Sequence, residues 1–189
     1  ARLYSMEEVG LATALISSLA LVALFSTLGF DSSIIRFLPQ ENKGVVISTS
    51  LIVTAGASIL AGGIYISLAR ILTPAMPIWQ EPGYSLAFIL IAVLNSIAVN
   101  CGYVFVADRK ANLYFLQNLM QAIRILALIP LTLLGVFGIF GAIGLGYLAA
   151  ALFSLAEIQM TISKIRLQVN REFIQKSFRF SSLNYLSSL

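Results

Sequence analysis

The sequence predicts an all-α fold, a polytopic transmembrane helical bundle of five spans. Three observations predict it: long uncharged apolar runs, a charged fraction of only 11%, and Lys and Arg crowded into every second connection. Soluble domains carry about 25% charged residues, so a chain that is 59% hydrophobic has too little polar surface to face water. About 20 apolar residues cross a hydrocarbon core at helical rise. A buried strand ends after about 4–8 residues, and a barrel strand alternates over about ten; these runs do neither.

The first span is placed at 9–30, followed by a polar connection with Asp31, Arg36, Pro39, Glu41 and Lys43. The second, 45–69, is also uncharged. Residues 70–85 hold Pro74, Pro77, Pro82 and Gly83, a proline density that opposes a helix, while Trp79 and Tyr84 suit an interfacial aromatic belt. The third span is 86–107, closed by Asp108, Arg109 and Lys110. From Ala111 to Ala156 the only charged residue is Arg124. That stretch fits two spans, 112–137 and 138–163, with Gly135, Gly138, Gly141, Gly144 and Gly146 marking a tight turn between them. Pro130 should kink the fourth span or free a carbonyl there. Ala142, Gly146 and Ala150, and likewise Ala57 and Ala61, are small residues that let helices approach closely. The chain divides into transmembrane helices at 1–165 and a basic segment at 166–189, a cytoplasmic linker with the start of another transmembrane helix.

Charge orients the bundle. Arg36 and Lys43 lie in the first connection, Arg109 and Lys110 in the third, and Lys164, Arg166, Arg171, Lys176 and Arg179 after the fifth span. The other side has Arg2, offset by Glu7 and Glu8, and Arg70. The positive-inside rule puts the first group in the cytoplasm. The chain then starts outside and ends inside, so an odd number of further spans is expected before it, in a longer protein of the cytoplasmic membrane.

Several function classes drop out. No histidine is present, which excludes Ser-His-Asp and Cys-His chemistry and His-ligated metals. The lone Cys101 cannot form an intrachain disulfide and reads as a packing residue. The net charge of +4 does not point to nucleic acid, because the cations sit at span ends. No cofactor is expected.

Arg124 is the sharpest signal, about 12 residues into the fourth span. An Arg at the bilayer centre costs about 2.5–3.5 kcal/mol on insertion scales, so it should face protein or a wet cavity. Gln117, Gln121 and Arg124 fall at i, i+4 and i+7 on one helical face, with Asn118 at its border. A planar guanidinium there suits a carboxylate or phosphate. The alternative is a span that begins near Leu119, with Arg124 snorkelling to headgroups. Tyr147, Ser154, Glu157 and Thr161 make a second stripe, in which Glu157 pairs with Arg124, with Lys164, or serves as a coupling carboxylate. Asn95, Ser96 and Asn100 in the third span either bond between helices or line a cavity.

These residues also resemble a known family. Glu7-Glu8-Val9-Gly10, with Leu28-Gly29-Phe30-Asp31-Ser32-Ser33-Ile34-Ile35-Arg36-Phe37-Leu38-Pro39, resembles the second helix and following loop of polysaccharide flippases. Those are the O-antigen and teichoic-acid exporters of the multidrug/oligosaccharidyl-lipid/polysaccharide superfamily. Phe140-Gly141-Ala142-Ile143-Gly144-Leu145-Gly146 is similar to the entry of their sixth helix, and 173–181 to the linker before their seventh. The resemblance implies that the five spans are helices two to six of the first lobe of a two-lobe, MATE-like transporter. It implies as substrate an oligosaccharide on a polyprenyl pyrophosphate, and as partners membrane lipids and the remaining transmembrane helices. It gives Arg124 the pyrophosphate, with Gln121, Gln117, Asn118, Asn95, Asn100 and Tyr147 around it. Asp31, Arg36 and Pro39 become a gating loop motif. The competing expectations are a membrane-embedded glycan polymerase or ligase, and a cation-coupled drug exporter of the same superfamily.

Overall fold

A computed structural model describes residues 4–73, 79, 81–165 and 168–187. Pro74, Pro77, Arg2 and Arg166 lie outside the described residues. All described elements are helical: α1 Met6–Thr27, α2 Phe30–Phe37, α3 Lys43–Leu72, α4 Pro82–Ala107, α5 Ala111–Gln121, α6 Ile123–Ala127, a 3-10 turn Pro130–Leu134, α7 Val136–Thr161 and α8 Arg171–Ser187. Four of them, α1, α3, α4 and α7, are long and apolar enough to cross a membrane. The chain is a multi-pass membrane protein.

Local chemistry explains where the long helices start and stop. At the start of α1, the Glu8 amide donates to Ser5 Oγ while the Ser5 amide donates to Glu8 Oε2, a reciprocal cap. Leu28 (φ 48°) and Gly29 (φ 74°) both turn left-handed and end the helix. Phe30 therefore starts α2 rather than ending the first span. The polar connection after that span is itself partly helical: α2 buries Phe30, Ser33 and Ile34 and leaves Ile35 and Arg36 outside. Asn42 caps α3 by accepting from the Val45 amide. Pro82 stands in the first turn of α4, where its missing N–H costs nothing. At the far end of α4, Arg109 is left-handed (φ 57°) and the Lys110 amide reaches back to Phe105 O.

The ends of the helices identify two ends of the bundle. Lys43 pairs with Asp108 at 2.5 Å, and Lys110 Nζ donates to Thr161 O, so the start of α3 and the ends of α4 and α7 share one end. This is the basic end, and α2 and α8 pack together there. At the opposite end Tyr84 stacks on Phe137 with ring centroids 3.6 Å apart, and Tyr4 Oη donates to Leu128 O at 2.8 Å. The stretch from Ala111 to Leu134 leads back from the basic end to the opposite one, but not as one helix. It breaks at Ala122 and again before Pro130, and α5, α6 and the 3-10 turn all lie along α7. This corrects the single span expected at 112–137. Proline has no amide to donate, the Thr132 amide turns to Ile129 O, and Tyr4 takes the Leu128 carbonyl that an α-helix would have given to Thr132.

Two further expectations are corrected. Among the glycines of 135–146, only Gly135 (φ 55°) makes the turn. Gly138, Gly144 and Gly146 are inside α7, where a Cβ would meet Leu131 O, the Ile91 side chain (2.9 Å) and Gln121 O (2.8 Å) respectively. Trp79 is not an interfacial residue. It is 4% exposed, edge-on to Tyr65 and Phe88, and its carbonyl accepts from Arg70 Nε at 2.6 Å.

Two apolar clusters fill the interior. One at the basic end includes Phe30, Ile47, Phe105, Ile158 and Phe173; the other includes Leu19, Ile66, Trp79, Phe88 and Phe140. Between α3 and α4 runs a buried polar ladder: Ser58 bonds Ser96, and Asn100 Nδ2 donates to Thr54 Oγ1 at 2.8 Å. With no water in lipid, such bonds hold helices in register, each contributing about 0.6 kcal/mol on average. Asn100→Ala should lower the melting temperature of the detergent-purified protein by a few degrees, a loss of about 1 kcal/mol; an unchanged melting temperature would show that the bond adds nothing.

Candidate functional site

Arg124 lies on α6, exposed, against α7. Its Cβ is 3.2 Å and its Cδ 3.7 Å from where a Cβ of Gly146 would stand, and the Gln121 carbonyl is closer still. Glycine at 146 is what lets the broken passage approach α7 this closely. Gly146 lies ten residues into α7, about 15 Å from its start at helical rise. That depth is near the middle of a hydrocarbon core about 30 Å thick. Both ends of α7 are about 15 Å or more away.

No ion pair or hydrogen bond to a described residue engages the Arg124 guanidinium, but its charge is within Coulombic range of the Tyr147 phenol. Glu157 does not neutralise it. Eleven residues separate Glu157 from Gly146 on α7, about 16 Å of helix. Glu157 makes no ion pair with Lys164 among the described residues either; it sits half-buried near the basic end. Both pairings raised for it from sequence are therefore unmade.

The amides of the expected stripe divide. Gln117 is buried and donates through Nε2 to Ala98 O on α4, leaving Oε1 without a partner. That bond fixes a register. Asn95 lies about 4.5 Å from Ala98 toward the opposite end, and Gln121 about 6 Å from Gln117 in the same direction. Asn95, buried and without a hydrogen bond to a described residue, and the half-buried Gln121 thus share a depth one turn from Arg124. Asn118 is exposed and its Nδ2 returns to Tyr114 O on its own helix. Asn100 faces the other way, to Thr54 of α3. The structure therefore brings Arg124, Gln121 and Tyr147 together along α7, places Asn95 only at a similar height on α4 through the Gln117 register, and leaves Asn118 and Asn100 outside.

The loop-motif residues lie at the basic end. Asp31 is half-buried in the first turn of α2, where a carboxylate meets unpaired amides. Arg36 lies over the Phe180 ring of α8 at 4.4 Å, and Pro39 is exposed. Phe30 and Phe37 pack edge-on to Phe173, Phe178 and Phe180, and Ser181 Oγ donates to Gly29 O at 3.0 Å. The motif is the seat of α8.

Sequence reasoning missed two organising residues. Asp108 looked like punctuation but holds Lys43 at 2.5 Å and Lys110 at 3.4 Å; its place directly before two cations, Arg109 and Lys110, was the available signal. Tyr4 gave no signal, because its partner is a backbone carbonyl far along the chain. Its phenol is pushed above the usual tyrosine range by burial and by the Glu8 charge, so it stays a proton donor.

Among the described residues no group of three or more Cys, Asp or Glu side chains is placed to hold a metal. The group beside Gly146 offers one fixed positive charge, a carboxamide and a phenol, with the Asn95 carboxamide at a similar height on α4. That set can recognise an oxyanion: the guanidinium fork pairs with two oxygens while neutral groups complete the hydrogen bonding. No protein family, curated protein or solved structure matches this chain.

Proposed function

We propose that this chain is part of a transporter that moves a lipid-linked, pyrophosphate-bearing oligosaccharide across the cytoplasmic membrane by alternating access, as the resemblance to polysaccharide flippases implies. One observation carries the reading: a cation without an ion pair, at mid-depth, on a broken helix. An arginine buried in a membrane without a carboxylate is costly and marks a substrate path or a wet cavity. Its fork fits the pyrophosphate of a polyprenyl carrier, and the breaks at Ala122 and Pro130 give that passage places to bend. The basic end is assigned to the cytoplasm because Lys and Arg gather there. Asn95, Gln121 and Tyr147 then line the path beside Arg124, and the Arg36–Phe180 contact sits at its cytoplasmic mouth.

The test is Arg124→Ala in the full-length protein, read in cells by surface glycan and by accumulated lipid-linked precursor. Losing two charge-assisted hydrogen bonds, about 1.5–3 kcal/mol each, should cut export at least tenfold while membrane insertion stays normal. Normal export would remove Arg124 from the mechanism.

A further inference from the structure

The basic end carries a second feature, independent of Arg124. Residues 162–165 and 168–170, between α7 and α8, lie against the start of α3. Thr49, fully buried, holds this segment: its Oγ1 donates to Gln168 O and accepts from the Asn170 amide at 3.1 Å. Gly44 permits the approach, since a Cβ there would stand 3.0 Å from Ser163 Oγ and 3.2 Å from Lys164 O. Two adjoining cavities of about 300 Å³ and 470 Å³ result, both lined by Val45 and Gln168.

The groups these cavities leave free are donors. Lys164 lines the first and Arg171 the second, and neither has an ion-pair partner among the described residues. Glu172, the one acid among the described lining residues, lies 3.3 Å from Lys176. Asn42 and Asn170 spend their carbonyl oxygens on the Val45 and Phe173 amides, which leaves their NH₂ groups. Gln168 O is taken by Thr49. Two positive charges and an excess of N–H groups call for a multiply charged acceptor.

We infer that this is a binding site for a phosphate-bearing anion, held by Lys164 and Arg171 and by the amide groups of Asn42 and Asn170. The chemistry is shared by two sources, free phosphate and a phospholipid headgroup at the membrane surface.

Both are tested on the full-length protein. In one arm it is placed in nanodiscs of phosphatidylcholine with or without phosphatidylglycerol, and retained lipid is measured by native mass spectrometry. In the other, the thermal shift with inorganic phosphate is compared with chloride at equal ionic strength. The expected result is roughly tenfold preference for phosphatidylglycerol, a phosphate shift, or both, lost in Lys164→Gln/Arg171→Gln and kept in Arg109→Gln and Lys164→Arg. Preference without a phosphate shift assigns the site to the headgroup; the reverse assigns it to free phosphate. The double variant must melt at the wild-type temperature without anion; if it does not, the single variants, each expected to lose part of the binding, replace it. No anion effect in the wild type, binding unchanged in these variants, or an equal loss in Arg109→Gln would overturn the proposal.

Discussion

Gly138→Val is expected to cost about 3 kcal/mol or more and to remove most folded protein. A side chain at 138 would be driven into the carbonyl of Leu131 and would sit 2.9 Å from Tyr4 Oη. Overpacking a core usually costs about 1–3 kcal/mol because side chains yield; here the obstacle is backbone. The 3-10 turn would have to lift off α7, taking the Tyr4–Leu128 bond with it. The measurement is the monodisperse fraction of a fluorescent fusion in detergent, with Gly141→Ala as the comparison. Nothing lies within 4 Å of a Cβ at Gly141, so that variant should behave as wild type.

Gly29→Val should release α8 from α2. Gly29 is left-handed, a conformation that costs other residues about 1–2 kcal/mol, and a Cβ there would overlap both Oγ and Cβ of Ser181. The expected result is faster amide exchange along α8 and loss of the Ser181–Gly29 bond, with the long helices intact. Adding Ser181→Gly to Gly29→Ala removes the overlap but not the backbone strain, so exchange should return only partway. Full protection in Gly29→Val would contradict the docking of α8 described above.

The long helices were legible because lipid imposes a simple demand. A backbone without water must bond internally, so α1, α3, α4 and α7 appear as uncharged runs close to their expected bounds. The elements that escaped are those set by local or tertiary detail. α2 is short and amphipathic, and its polar residues looked like a loop. The break at Ala122 has no proline to announce it, whereas Pro130 did. Glycine content suggested a turn over 135–146, but close packing against Leu131, Ile91 and Gln121 explains most of it. Trp79 looked interfacial by composition, yet its burial depends on Tyr65 and Phe88 from two other helices.

The site divides along the same line. Arg124's distance along its passage could be counted from sequence, because helical rise per residue is nearly constant. Which amides join it could not, because Gln117 and Asn100 are claimed by Ala98 O and Thr54 of neighbouring helices. Glu157 looked near Arg124 only in the absence of a register; about 16 Å of helix separates them.

The central claim is that Arg124 faces a hydrated, anion-accessible space at mid-membrane. Arg124→Cys, in full-length protein with the buried Cys101 changed to Ala, tests it most directly. A charged, membrane-impermeant thiol reagent should label position 124 well above a Leu126→Cys comparison, whose apolar side chain is 72% exposed and which the account turns to lipid. Labelling no faster than at position 126 would contradict the account.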